Sequence, residues 1–177
     1  MKVRIFSEVF LFMLNFFDSI VYWNKIIDLY NIKGDSMPED IVFKNAASTA
    51  SIIYVFNHKI LLVQRDHKPF AGMWALPGGF LNCDQETLED AALREFFEET
   101  NLSIKTPPKL FCVNSSPTRD PRGHVIDHVF ILQDCYGIPK AKDDARDLKF
   151  FHLDALPELA FDHQEVVDRY CREIYKL

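Results

Sequence analysis

No CxxC pair occurs among the four cysteines, Cys83, Cys112, Cys135 and Cys171, which lie far apart in the 177-residue chain. That spacing argues against a zinc site and against a disulfide framework, and reduced thiols in a cytoplasmic protein are the simpler account. Positive charge is in deficit: 20 Lys and Arg against 26 Asp and Glu give a net charge of −6. This balance argues against an extended basic nucleic-acid surface and no DNA partner is expected, although a local basic groove is compatible with it. No apolar run approaches the ~20 residues that cross a bilayer. The strongest one, "VFLFMLNFF" at 9–17, is interrupted by Asn15 and flanked by Glu8 and Asp18. Internal repeats and low-complexity tracts are absent too.

What is present is enough for one well-buried core: 48% of the residues are hydrophobic and 26% charged. The chain divides into an apolar extension, residues 1–40, and a main domain, residues 41–177. In the extension Phe10, Met13, Leu14, Phe17, Ile20 and Val21 fall on a helical stripe. This predicts a helix packed on the domain or on a partner chain, and a homodimer would suit it. A membrane-surface helix, a poorly ordered extension and a true start at Met37 are the alternatives. The charged start "MKVR" before an apolar run has the look of a signal peptide, but no small-residue cleavage site follows. "IKGDSMPED" reads as the linker.

From about Ala46 the elements are short. "TASIIYVF" and "KILLVQR" are β-rich runs joined at Asn57-His58, a plausible hairpin, and "MWALPGGF" is a short strand ending in a glycine turn. Thr87 to Thr100 reads as a helix capped by Thr87, with Asp90 three residues on and Leu88, Ala92 and Phe96 as its apolar stripe. "LFCVNSS", "HVIDHVFILQD" and "LKFFHL" are further strands, with "PTRDPRG" a polar loop. "DALPEL" and "DHQEVVDRYCREIY" are predicted helical. Runs of strands with a central and a terminal helix indicate an α+β domain with a mixed sheet.

On the central helix Glu95, Glu98 and Glu99 stand at i, i+3 and i+4 and so share one side. Like charges at that spacing repel by a few tenths, about 0.2–0.5, of a kcal/mol per pair. A divalent cation is the natural compensation; oxygen ligands suit Mg²⁺ or Mn²⁺ and leave room for phosphate oxygens. Arg94 is placed to pair with Glu98 or Glu86. For the helix alone, a solvated acidic face is the plainer reading.

The flanking residues add a motif. Gly79, then Glu86, then "REFFEETNL" from Arg94 resembles the Nudix box: Gly, five residues, Glu, seven residues, Arg-Glu-aliphatic-x-Glu-Glu-x-Gly-aliphatic. The resemblance implies the Nudix fold, a mixed sheet sandwiched between helices (α/β/α). Three departures stand out: Phe96 at an aliphatic position, Asn101 for the helix-ending glycine, and six residues instead of five between Gly79 and Glu86. Asparagine is the usual second choice for a left-handed C-cap, and Phe96 is expected to repack. One extra loop residue adds little closure entropy, so a bulge with the helix register intact is expected. Counted from the helix Glu86 takes the motif's glutamate position; counted from the glycine, Gln85 does.

By the same resemblance Glu95 and Glu99 are metal ligands, with Glu98 close behind and the Gly79 carbonyl a further one. Glu98, Glu95, Glu86 and Arg94 form the catalytic set, Glu86 and Arg94 mainly as orienting groups. The general base is a box glutamate or a later carboxylate, with Asp143 and Asp144 the candidates. Family members cleave a nucleoside diphosphate linked to another group with a metal-activated water. "QRDHKPFAGMWALPGGF", "SSPTRDPRGHVIDHVFI" and "ELAFDH" look like the ADP-ribose pyrophosphatase branch, which implies ADP-ribose or a related nucleoside diphosphate sugar as substrate and Mg²⁺, with Mn²⁺ possible, as cofactor. Nucleoside triphosphates or RNA 5′ ends are the alternative substrates. The same signatures occur in regulators that use the domain as an ADP-ribose sensor. Those carry a C-terminal winged helix, for which the last helix pattern leaves too few residues, so an enzyme is expected.

Arg65, Arg119 and Arg122 are suited to phosphate oxygens because guanidinium forks match them. A turn-stabilising pairing with Asp120 is the alternative for Arg119 and Arg122, and simple exposure for Arg65. Phe80 and Trp74 flank the glycine turn and either stack on a base or join the core, Trp74 more naturally the latter. His124 and His128 lack a third ligand and read as structural. Asp162 reads as a helix cap.

Overall fold

In the computed structural model, which describes residues 45–142 and 145–176, the two β-rich runs form strands β1 (Ala47–Phe56) and β2 (Lys59–Arg65). They pair antiparallel across Asn57 and His58, which have φ of 49° and 61°. Two successive left-handed residues make the turn whose twist matches a hairpin. The "MWALPGGF" stretch forms two short strands, β3 (Trp74–Ala75) and β4 (Gly78–Phe80), split at Leu76-Pro77. Pro77 has no N–H to continue a ladder. Then follow helix α1 (Leu88–Thr100), β5 (Ser103–Ile104), β6 (Lys109–Asn114), β7 (Val125–Leu132), β8 (Cys135–Tyr136), β9 (Ala145–His152) and helix α2 (His163–Tyr170).

Among the described residues the main sheet has seven strands in the order β3-β2-β1-β7-β6, with β4 also on β1 and β9 on β2. The β1–β7 pairing is parallel and the others antiparallel, so the sheet is mixed as expected. Alternation along β1 serves two cores. Ala50, Ile52 and Tyr54 pack with Ala91, Ala92 and Phe96 of α1, while Ile53 on the opposite face packs with Val166, Val167 and Tyr170 of α2. Side chains of successive strand residues point to opposite faces, and with a helix on each face the second half of the strand, Ile52 to Phe56, is apolar at every position.

Helix α1 starts and stops as its sequence dictates. Thr87 Oγ1 accepts from Asp90 N at 3.1 Å and the Asp90 carboxylate accepts from Thr87 N, a capping box. Asn101 ends the helix in the left-handed conformation, φ 59°. Phe96 is fully buried and meets Tyr54 edge-on, centroids 6.2 Å apart, so the larger ring has repacked. Trp74 joins the α2-side core against Phe151.

Two expectations need correction. "DALPEL" is a turn and an isolated bridge of Leu159 to Trp74, not a helix; Pro157 removes a donor and biases Leu156 away from helical φ/ψ. The terminal helix also changes character, its last turn Cys171–Tyr175 being a π-turn. The predicted N-terminal helix and the linker lie outside the described residues. Among those described, all four cysteines are free and no helix is long and apolar enough to cross a membrane.

Candidate active site

Where β4 crosses β1 the backbones come so close that Gly78 admits no side chain. A Cβ there would sit 2.3 Å from Ala50 O and 2.7 Å from Ser51 Cα. At Gly79 the obstacle is a side chain: a Cβ would sit 2.4 Å from the carboxyl carbon of Glu95. One turn further along α1, Glu99 accepts a hydrogen bond from Gly78 N at 2.9 Å and is 9% exposed. Glu95 and Glu99 thus both rest on the glycine strand, held there by the absence of two side chains.

Arg94 organises the remaining acids. Its Nε and Nη2 donate to the two oxygens of Glu86 at 2.9 and 2.6 Å, the bidentate geometry that a guanidinium favours. Nη1 donates to Glu95 at 2.6 Å and to Glu98 at 3.0 Å, and Nη2 also reaches Phe80 O. The Arg94 hydrogen bonds, with help from the Asn82 N–H, lower the Glu86 carboxyl to about 2. Glu95 moves the other way: burial raises it, Arg94 opposes, and the neighbouring Glu98 and Glu86 charges add to the rise. Glu98 is 40% exposed and lies outside the lining of the adjacent cleft.

The extra residue between Gly79 and Glu86 is taken up in a turn. Gln85 N donates to Asn82 O at 3.2 Å, with Asp84 left-handed at φ 64°. Asn82 N then donates to Glu86 Oε1 at 2.8 Å, tying the bulge to the carboxylate it precedes. Glu86, the position counted from the helix, is thus the one that pairs with Arg94. Glu86→Gln is expected to lower kcat/KM by ~10–100-fold, the usual cost of removing a group that orients a site. Gln85→Ala should stay within about twofold; the opposite ranking in parallel kinetics would mean that the other register operates.

Beside the glycine strand lies a cleft of about 260 Å³ lined by Gly79, Phe80, Glu95, Glu99, Arg65, Arg119 and Arg122 among others. Seven residues singled out in the sequence are thus gathered on one cavity, while Glu86, Arg94 and Glu98 stand behind it. Arg122 lies over the Phe80 ring at 4.7 Å and the Phe161 ring at 5.4 Å, and Arg65 over Phe161 at 4.9 Å. Cations and rings so alternate across the cleft, each contact worth about 0.5–1 kcal/mol when exposed. Phe161 adopts φ 54°, a conformation costing ~1–3 kcal/mol in a non-glycine residue. Asp120 holds Arg122 through Nε and Nη2 as well as its backbone N–H.

Arg119 differs from the turn-stabilising role considered for it. Its Nε and Nη2 bind both oxygens of Asp162, Asp127 lies 3.5 Å from Nη2, and its side chain is 4% exposed. Asp162 occupies the N-cap position of α2 yet makes no side-chain cap, because Arg119 takes its carboxylate. His124 and His128 contact backbone carbonyls of Ser115 and Thr49, a structural use. Asp143 and Asp144 lie outside the described residues.

Thr49, Ser51 and Asp127 of the cleft were not singled out in the sequence, and His163 entered only as part of the signature Phe161-Asp162-His163. The signal for the first three was there, since each is a polar residue set in a β-rich run. Thr49 and Ser51 share the β1 face of Ile53, and Asp127 sits in β7 opposite Thr49. His163 accepts from Leu76 N through Nδ1, and burial lowers its pKa below the ordinary 6.5 against the pull of Asp127 and Asp162. The unfolded chain therefore takes up this proton first. Stability from His163 is complete above pH ~6.5 and declines as pH falls below it, by at most about 1.4 kcal/mol per pH unit. Urea midpoints at pH 7.5 and 5.5 should show the decline, and His163→Asn, which retains an acceptor near the Nδ1 position, should lack it.

Comparison with known proteins places this geometry. The NUDIX domain model matches residues 45–170. Over 116 residues the chain is 53% identical to an ADP-ribose pyrophosphatase of Methanocaldococcus jannaschii, covering 66% of this chain and 68% of the relative. The NUDIX domain of Shewanella oneidensis NrtR, solved with ADP ribose, superposes with a TM-score of 0.67 at 28% identity over 77% of this chain and 94% of that one. A bifunctional NMN adenylyltransferase/ADP ribose pyrophosphatase from Francisella tularensis, solved with AMP and a manganese ion, gives 0.64 at 29% identity over 93% of this chain and 53% of that one. With the carboxylate helix, the glycine corner and the family match in agreement, the chain belongs to the Nudix hydrolase family.

Proposed function

We propose that the chain is a divalent-metal-dependent pyrophosphatase that hydrolyses ADP-ribose or a related nucleoside diphosphate sugar to a nucleoside monophosphate and a sugar phosphate. The observation that carries this reading is the seating of Glu95 and Glu99 on Gly78-Gly79 at the wall of a cleft that also holds Arg65 and Arg122. The names of the relatives at 53% and 28–29% identity supply the substrate.

The donor set fits a hard cation. Among the described residues no three Asp, Glu, His or Cys side chains close into a cage. What the corner offers is an open row, Glu95 and Glu99 against the Gly78-Gly79 strand with Glu98 beside them; the Gly79 carbonyl is a further ligand by family resemblance. Mg²⁺ and Mn²⁺ accept such sets because they keep waters and take substrate phosphate oxygens as ligands. A bound cation would neutralise the diphosphate and lower the pKa of the attacking water. Water adds across one P–O–P bridge: its oxygen joins one phosphorus and the bridging oxygen leaves on the other phosphate. Arg94 and Glu86 keep Glu95 and Glu98 in register, a box glutamate or a later carboxylate accepts the water proton, and Arg65 and Arg122 meet the phosphates. A cytoplasmic homodimer is proposed on family analogy alone.

The test is a phosphatase-coupled assay over ADP-ribose, GDP-mannose, UDP-glucose, NADH and a nucleoside triphosphate, with Mg²⁺, with Mn²⁺ and with EDTA. Cleavage of ADP-ribose in metal and none in EDTA is expected. Faster pyrophosphate release from the triphosphate would move the substrate class, and binding of ADP-ribose without turnover in either metal would make the chain a sensor.

A further inference from the structure

The floor of the cleft is rich in hydrogen-bond acceptors. Thr49 Oγ1 and Ser51 Oγ each donate to Asp127 Oδ1 at 2.9 Å. A hydroxyl has one proton, so both oxygens are left with acceptor capacity alone. The second Asp127 oxygen, Oδ2, is buried and without a hydrogen-bond partner; Arg119 Nη2, at 3.5 Å, is too distant to be one. Arg119 is itself fixed on Asp162. His163, the other titratable group on the floor, uses Nδ1 to accept from Leu76. A buried acceptor without a donor is destabilising by ~1–3 kcal/mol. Three acceptors, Thr49 Oγ1, Ser51 Oγ and Asp127 Oδ2, therefore meet on a floor whose donors are the His163 Nε2–H and Arg119, and no donor is hydrogen-bonded to Asp127 Oδ2.

Phosphate is the wrong occupant, since it brings oxygens and negative charge to Asp127. The group that fits offers N–H or O–H. The rest of the wall narrows this, because Phe80, 40% exposed, and the half-buried Phe161 turn rings to the same cleft, with Leu76 beneath. Rings with guanidiniums stacked on them, beside buried acceptors, suit a flat amino-bearing nucleobase better than a sugar. We infer that Thr49, Ser51 and Asp127 form a base-reading subsite that accepts the exocyclic amino group of an adenine. The proposal rests on the pyrophosphatase reading for the choice of nucleotide, and it assigns specificity to the floor and chemistry to the glycine corner.

The experiment compares ADP-ribose with IDP-ribose, in which a carbonyl acceptor replaces the exocyclic amino donor and the adjacent ring nitrogen gains a proton, while every ribose hydroxyl remains. Calorimetric Kd values in EDTA on the unmodified chain should favour ADP-ribose at least tenfold, because a site built to pair a donor rejects the analogue lacking it. Ser51→Ala, which removes one acceptor, should narrow the ratio several-fold. Equal Kd values overturn the subsite and mean that sugar hydroxyls or nothing specific occupy the floor; tighter IDP-ribose overturns it as well. Turnover is read separately in Mg²⁺ and Mn²⁺. A binding preference without turnover leaves the subsite standing and removes the activity. Turnover of both nucleotides at equal Kd does the reverse, and binding of neither overturns both.

Discussion

Gly78→Ala is expected to destabilise the fold by about 3 kcal/mol or more, lowering Tm by on the order of 10 °C. Two effects add. The residue has φ +152°, outside the ordinary range of an L side chain, and its Cβ would overlap backbone atoms of Ala50 and Ser51 that cannot step aside without breaking the β1–β4 pairing. Gly79→Ala is the informative contrast. Its clash is with the end of the Glu95 side chain, which can rotate away, so Tm should fall by much less while activity drops steeply as Glu95 leaves the corner. Melting both variants and assaying the soluble fraction separates the cases. A Gly78→Ala chain that melts with the wild type would show that β4 does not need the close approach. A fully active Gly79→Ala chain would show that the position of Glu95 is irrelevant.

Glu99→Gln should lower kcat by on the order of 10³-fold with little change in Tm. The amide oxygen of glutamine can still accept from Gly78 N, so the contact that holds the helix to the glycine strand survives while the ligand charge is lost. Relief of repulsion with Glu95 and Glu98 favours the folded variant slightly. Activity that persists with the same metal dependence would remove Glu99 from the ligand set. A large drop in Tm would instead assign Glu99 a structural role and leave the activity loss uninterpretable.

The sequence made some of this legible and concealed the rest for physical reasons. Helix α1 could be read closely, because its cap, its stripe and its Asn101 stop act over three or four residues and are written consecutively. The carboxylate pattern was equally local. Which oxygens face which partners was not: Glu98 shares a helix side with Glu95 and Glu99 but goes to Arg94 rather than the cleft. Arg119 was legible as a phosphate-seeking group or a partner of Asp120, yet Asp162, 43 positions away, claims it. "DALPEL" has helical composition, and its proline decides against it. The cleft floor was hardest, since Thr49 and Ser51 mean little until the parallel ladder sets Asp127 beside them.

That ladder also bears on how the protein is made. Parallel strands need a long crossover, and here Thr49 reaches Asp127 across 78 positions and Leu76 reaches His163 across 87. Contacts so distant along the chain are slow to form, since loop closure must precede any gain from them. On the ribosome β1, β2 and α1 emerge before β7 and α2 exist, so the carboxylate helix can fold against its side of β1 while the floor is still missing. The cleft is therefore a late product of folding, and a chain interrupted before β7 would carry the whole Nudix box without the floor of its cleft.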